Sequence, residues 1–209
     1  MLLKNIIPSQ NVSSFFLGRG ENLDGVLAEN FAGHQVIRMI QTHSDKVVFI
    51  DEDFLEKNPE KVLFVDDIDG LVTKQKKVVL VVRVADCTPI FLYHPSGVVG
   101  VVHAGRVGTQ KQILRKSLEE LRAKYGLQED LTIWLGPRIC HQCYQIDWGK
   151  EPNYDLLGEN MSQIKAVLDP DKNKIIVSEF CTAHDNDRFY SLRKDGQGVE
   201  MNFGLVALG

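Results

Sequence analysis

The chain has 209 residues, 44% hydrophobic and 25% charged, with 24 Lys and Arg against 28 Asp and Glu for a net charge of −4. A chain of this length buries roughly 70% of its unfolded surface on folding, so it needs no disulfide or metal merely to fold, and its composition excludes a fibrous or wholly disordered protein. The mildly acidic balance argues against nucleic acid and anionic membranes as partners, since both call for a basic field.

From the N-terminus, Met1–Ile7 is interrupted by Lys4 and closed by Pro8. It lacks the apolar core and cleavage site of a secretion signal, and no later apolar run approaches the about 20 residues of a membrane span. A cytoplasmic protein is expected, whose four cysteines (Cys87, Cys140, Cys143, Cys181) are thiols available for metal binding or catalysis. Asp51–Lys61 reads as a solvated helix or loop, and the basic run Lys74–Lys77 as a solvated turn. Val78–Val84, nearly all β-branched, predicts a strand buried on both faces. Ile90–Tyr93 and Val98–Val102 predict a hairpin about the turn Pro95-Ser96-Gly97.

Thr109–Tyr125 predicts the clearest helix, with Ile113, Leu114, Leu118, Leu121 and Tyr125 on one face. Thr109 and Gln112 have capping-box spacing, and Gly126 stands at the C-terminal cap. Leu131–Leu135 predicts a short strand, Tyr154–Leu168 a helix capped by Asn153, and Lys174–Val177 and Val199–Val206 two more strands. No repeat or linker divides the chain. The expectation is a single α+β domain of layered mixed β-sheets flanked by helices.

Three residues beside sharp turns carry candidate chemistry. His43 lies in Gln41-Thr42-His43-Ser44, Cys87 in Ala85-Asp86-Cys87-Thr88-Pro89, and His103 opens His103-Ala104-Gly105-Arg106-Val107-Gly108-Thr109. Taken singly, each reads as core or surface. Taken together, two imidazoles and a thiolate form a shell that suits zinc with an open water position, and the same shell binds copper. A metal-free alternative makes Cys87 a nucleophile, His103 its base and Asp86 a polar neighbour.

These motifs resemble the YfiH-type family, also called the laccase-domain or multicopper polyphenol oxidoreductase family and regarded as purine nucleoside phosphorylases. The resemblance rests on Gln41–Ser44, Asp67–Thr73, Ala85–Pro89, His103–Thr109, Gly136-Pro137-Arg138-Ile139-Cys140-His141-Gln142-Cys143-Tyr144, Cys181-Thr182, and Phe189-Tyr190-Ser191-Leu192-Arg193, all in family order. It implies zinc (alternatively copper) on His43, Cys87 and His103. It also implies catalytic roles for Cys87, His103 and Asp86, with Asp86 either a strand-end hydrogen-bonding group or a proton carrier. Substrate contacts are expected from Arg106, Gly108, Thr109, Cys143, Tyr144 and Arg193. The implied reaction is phosphorolysis of adenosine and inosine, with methylthioadenosine as a further substrate and adenosine deamination as a second activity. Purine nucleosides and phosphate are the partners.

The chain departs from the family at Arg106-Val107, where Trp-Arg is usual, and Gln197–Asn202 lacks a Gly-Arg. The C-x-x-C of Cys140 and Cys143 matches zinc and redox motifs. Against the family pattern, however, Cys140 falls where glycine is common, which favours a structural or wall role over a second metal site. His34, His94, His141 and His184 show no partner pattern and are assigned to solvent or packing. The rival functions are a copper oxidase of phenols, for which clustered histidines are too few, a metal-free Cys–His hydrolase, and a metal-binding accessory protein with decayed activity.

Overall fold

The structure is a computed structural model describing residues 1–146 and 152–209. Among the described residues, alternating and continuous apolar runs form twelve strands in two six-stranded mixed sheets. The first sheet contains β1 (Leu2–Lys4), β2 (Val12–Leu17), β12 (Asn202–Leu208), β7 (Val78–Val84), β3 (Gln35–Ile40) and β5 (Val62–Asp66), in that spatial order. The second runs β11 (Lys174–Val177), β10 (Thr132–Leu135), β8 (Thr88–His94), β9 (Val98–Ala104), β6 (Gly70–Thr73), β4 (Val47–Ile50). β7 pairs parallel with β3 and antiparallel with β12. The β8–β9 hairpin is antiparallel, with Phe91 opposite Val101.

The sheets face each other across a core that includes Phe16, Ile37, Leu80 and Val206 from the first and Leu71, Phe91, Val101 and Trp134 from the second. On the outer face of the first sheet, Leu23 and Val26 of α1 (Leu23–Asn30) pack against Phe15, Val79, Val81 and Leu205. On the outer face of the second, α4 (Ile113–Tyr125) and α5 (Leu156–Val167) cover Val72, Ile90, Val102 and Ile133. The architecture is α+β, with helices outside two stacked sheets. Both faces of β7 are therefore buried, which is why its valines run continuously instead of alternating.

The long predicted helix divides in two. A short α3 (Arg106–Gln110) precedes α4, and Gln112 between them is left-handed at φ 68°. Thr109 caps nothing: its hydroxyl accepts from Asn160 and its carbonyl from Gln163, both on α5. Gly126 does take the left-handed cap position. The predicted start of α5 moves to Leu156, capped by Asp155, because Asn153 instead donates its amide to the Gln142 carbonyl. The last strand begins at Asn202 rather than Val199 and continues to Leu208. Asp51–Lys61 contains one short helix, α2 (Glu52–Lys57), capped by Asp51. Among the described residues no helix is long and apolar enough to cross a membrane.

What positions the site is a repeated move. The chain passes from the first sheet to the second three times: β3 to β4 through 41–46, β5 to β6 through 67–69, and β7 to β8 through 85–87. These crossovers carry His43, Asp69 and Cys87.

Candidate metal centre and adjoining cavity

The three crossovers converge on the C-terminal end of β9, where His103 stands next to the last residue. His43, Cys87 and His103 each offer a ligand atom, all within 4.8 Å of one another. The His43 Nε2 to Cys87 Sγ distance is 3.7 Å, and the two imidazole centroids are 4.8 Å apart at 71°. His103 is buried, Cys87 half-buried and His43 exposed. The set thus has one open side, as a three-ligand catalytic site requires.

The local backbone is built around this meeting. Gln41 extends the first sheet beyond β3: its side-chain amide donates to the Arg83 carbonyl and its oxygen accepts from the Arg83 N–H. His43 and Asp86 both take positive φ, 58° and 86°. Such a conformation is costly for non-glycine residues and persists where surrounding contacts enforce it. Gly105 must be glycine for another reason. A Cβ there would lie 2.6 Å from His43 Cδ2 and 2.7 Å from Cys87 Sγ, so the backbone forms one wall of the cradle.

Asp69, to which no local sequence pattern assigns a role, organises the set. Its carboxylate accepts the N–H groups of Thr42, His43 and Ser44, the Ser44 hydroxyl, and His103 Nδ1 at 2.6 Å. The Asp69 carbonyl also accepts the His103 N–H. Holding Nδ1 leaves His103 Nε2 as the free ligand atom, the usual carboxylate–histidine support of a metal ligand. Burial alone would raise the Asp69 carboxyl, but His103 and Ser44 outweigh it and hold it at about 2. Burial likewise opposes ionisation of Cys87 and His103. Their mutual attraction, with Asp69 behind His103 and His43 beside Cys87, holds the thiol down at about 6 and the imidazole up at about 9. That balance favours the thiolate–imidazolium form of the pair, and a metal ion held there would take the place of the imidazolium proton.

A cavity of about 380 Å³ opens over the set, bounded by Gln41, Arg83, Asp86, Ile139, Tyr144, Leu192, Arg193 and Met201 among others. This falls within the range of roughly 300–1,000 Å³ for ligand sites. Arg83, on β7, was not singled out from the sequence, because an arginine in a valine run reads simply as an outward residue. Tyr144 and Arg193, both expected from the sequence, line the cavity. Arg193 donates to the Gln145 carbonyl, and its guanidinium lies 5.9 Å from the Tyr144 ring centroid. The Asp86 carboxylate accepts from the hydroxyls of Thr182 and Ser191 and from the Arg193 N–H, each at 2.7 Å. It ties the Thr182–Arg193 segment to the crossover that carries Cys87.

Arg106 and Val107 line a shallower opening with Thr42, His43 and Tyr144. Gly108 and Thr109 lie behind the site. A Cβ on Gly108 would meet the Ser44 carbonyl at 3.0 Å, and Thr109 is buried against α5. Cys143 joins a different group. Its Sγ lies 3.2 Å from Nε2 of His184, so this histidine, expected at solvent or in packing, has a thiol partner.

The model of the family described as multi-copper polyphenol oxidoreductase laccase matches residues 21–165. The chain belongs to this YfiH-type family. Among its curated members, a purine nucleoside phosphorylase of Campylobacter jejuni is 27% identical over 75% of this chain and 70% of its own length. One of Bacillus subtilis is 33% identical over 61% of this chain and 54% of its own length. A family member named adenosine deaminase, from an unknown prokaryotic organism, is 29% identical over 75% of this chain and 68% of its own. In fold, the chain is similar to the YfiH protein of Bacillus licheniformis, with TM-score 0.80 and 21% identity over 95% of this chain and 93% of that one. It is also similar to YlmD of Geobacillus stearothermophilus, with TM-score 0.81 and 20% identity over 97% and 93%. The span matched by the family model contains the motifs from Gln41 to Tyr144.

Proposed function

We propose that the whole chain acts as one zinc-dependent purine nucleoside phosphorylase domain. Its substrates would be adenosine, inosine and methylthioadenosine, with adenosine deamination as a second activity. The observation that carries the reading is the His43/Cys87/His103 set at the floor of an arginine-flanked cavity. The donor set fits the ion. Two imidazoles and a low-lying thiol face one point, Asp69 fixes one imidazole from behind, and Gly105 leaves the space that a side chain would fill. His43, Cys87 and His103 would hold zinc, which supplies Lewis acidity when bound.

The chain's own groups divide the rest of the work. Arg83 and Arg193 offer guanidinium donors to phosphate, the co-substrate whose oxygen attacks the ribose carbon as the bond to the purine breaks. Tyr144 gives an aromatic wall for the base. Asp86 holds Arg193 and the Ser191 turn in register, a positioning role that its three accepted hydrogen bonds favour over proton transfer. Arg106 stands at the second opening, where the family's usual arginine is replaced by Val107.

Zinc-loaded protein should cleave inosine only when phosphate is present, releasing hypoxanthine and ribose 1-phosphate together by chromatography. Loss of one charge-assisted contact costs about 1.5–3 kcal/mol, roughly ten- to a hundredfold in rate if it acts in the transition state. Val107→Arg should therefore raise the rate. Zinc-loaded wild type and Val107→Arg that both release no base from inosine or adenosine, with or without phosphate, would refute the assignment.

A further inference from the structure

A second donor group lies outside the catalytic set. Cys140 caps and Cys143 ends a single 3₁₀ turn, His141–Cys143, and Cys181 opens and His184 ends a turn just beyond β11. In sequence the group is C-x-x-C followed, after 37 intervening residues, by C-x-x-H. The two turns are stitched side by side. Arg138 and Cys181 form a parallel bridge, the Thr182 N–H donates to the Arg138 carbonyl, and the Cys140 N–H donates to Cys181 Sγ at 3.2 Å. The four ligand atoms all lie within 4.8 Å of one another, with Cys143 Sγ 3.2 Å from His184 Nε2 and Cys140 Sγ 3.8 Å from His184 Nδ1.

We infer that Cys140, Cys143, Cys181 and His184 form a structural zinc site. Tetrahedral zinc with three sulfur ligands and one nitrogen sets neighbouring ligand atoms about 3.5–3.8 Å apart, and His184, ligating through Nε2, stands 3.2 Å from Cys143 Sγ, a few tenths of an ångström inside that spacing. Four protein ligands close the shell, the mark of a structural rather than a catalytic ion. An N–H donated to a ligating sulfur is the outer support such a site needs. A disulfide is the rival use of these thiols. It would pair two of the three sulfurs, leave the third over, and give His184 nothing to do.

Charge points the same way. Arg138 is buried beside the group, donates to the Gly136 and Ser178 carbonyls, and its Nε has no partner among the described residues. Three thiolates and one divalent ion carry a net single negative charge next to that guanidinium. The site would clamp Tyr144, adjacent to Cys143, to the segment whose Thr182, Ser191 and Arg193 bind Asp86. Both sides of the clamp border the substrate cavity.

The test is metal content and cobalt spectroscopy of the full chain, purified reduced. Cys87→Ala should retain one zinc, and its cobalt form should show charge-transfer absorption from three thiolates, whereas a cobalt ion left on His43 and His103 would show none. His184→Ala, at an exposed position, should lose that ion, and His184→Cys should restore it with a four-thiolate spectrum. The rescue separates ligation from packing, and Cys143→Ser gives a second variant should one fold poorly. If the catalytic set binds nothing, wild type should still hold one ion that His184→Ala removes. Folded, reduced Cys87→Ala that takes up no zinc on titration would overturn the inference. So would a retained ion that is unaffected by both His184→Ala and Cys143→Ser.

Discussion

One buried carboxylate holds the candidate centre together at the residue scale. Asp69 is fully buried and receives five donors, three of them consecutive backbone N–H groups around His43. It therefore sets the left-handed turn at His43 and the ring orientation of His103 at once. Because its folded pKa of about 2 lies below the unfolded value, it contributes stability that is present above about pH 4 and is lost as the pH falls through about 2. Asp69→Asn keeps the shape but turns an amide NH₂ towards a ring of donors. The expected cost is about 3 kcal/mol for the buried donors left unpaired, read in urea unfolding at pH 7. Zinc affinity should fall about 10- to 100-fold, as for other lost supports of metal ligands, measured by competition with a chromogenic chelator. A variant as stable and as zinc-avid as wild type would show that Asp69 is only a filler.

At the scale of elements, the break between α3 and α4 is a local conflict with a measurable size. Gln112 is exposed, left-handed and makes no side-chain cap bond. A left-handed non-glycine residue costs roughly 1–2 kcal/mol, and glycine returns part of that through the unfolded chain. Gln112→Gly should therefore stabilise the protein by about 0.5–1 kcal/mol in denaturant melts, with no change in zinc content. Had Thr109–Tyr125 been one continuous helix, the same change would destabilise it by about 1 kcal/mol. The periodic pattern of Ile113, Leu114, Leu118 and Leu121 exposed α4 in the sequence, as continuous valines exposed β7. Neither pattern shows where two helices part, because Arg106–Gln110 turns on contacts from Thr109 to α5, 51 residues away. The site was legible to a similar degree. Motif residues at strand ends pointed to His43, Cys87 and His103, and their order pointed to the family. Asp69 and His184 act through partners 34 and 41–44 residues distant, a relation that no local spacing encodes. Asp69 stands in Asp67–Thr73 just before β6, and a carboxylate in front of a buried strand is the signal the sequence offers.

For the molecule as a whole, the His43/Cys87/His103 set spans the two sheets. His43 and Cys87 lie in crossovers leaving β3 and β7 of the first sheet, and His103 lies on β9 of the second. An ion bound there joins segments that separate on unfolding, so its binding energy becomes folding energy. Stability should then depend on free zinc by mass action. Once zinc exceeds the dissociation constant, each tenfold rise adds about 1.4 kcal/mol per ion released on unfolding. The slope therefore counts ions without assuming their positions: about 1.4 kcal/mol per decade for the catalytic set alone and about 2.7 kcal/mol when the Cys140–His184 group is filled as well. His184→Ala should lower the steeper slope to the shallower one, and His184→Ala combined with Cys87→Ala should flatten it. Because ligation needs Cys87 as thiolate and His103 without its extra proton, and because Cys87 and Asp69 hold the His103 imidazole up at about 9, the zinc-dependent increment should grow between pH 6 and pH 9. Unfolding curves in zinc buffers spanning three decades, repeated at both pH values, measure it. A wild-type midpoint indifferent to zinc across that range would mean that no ion couples the sheets.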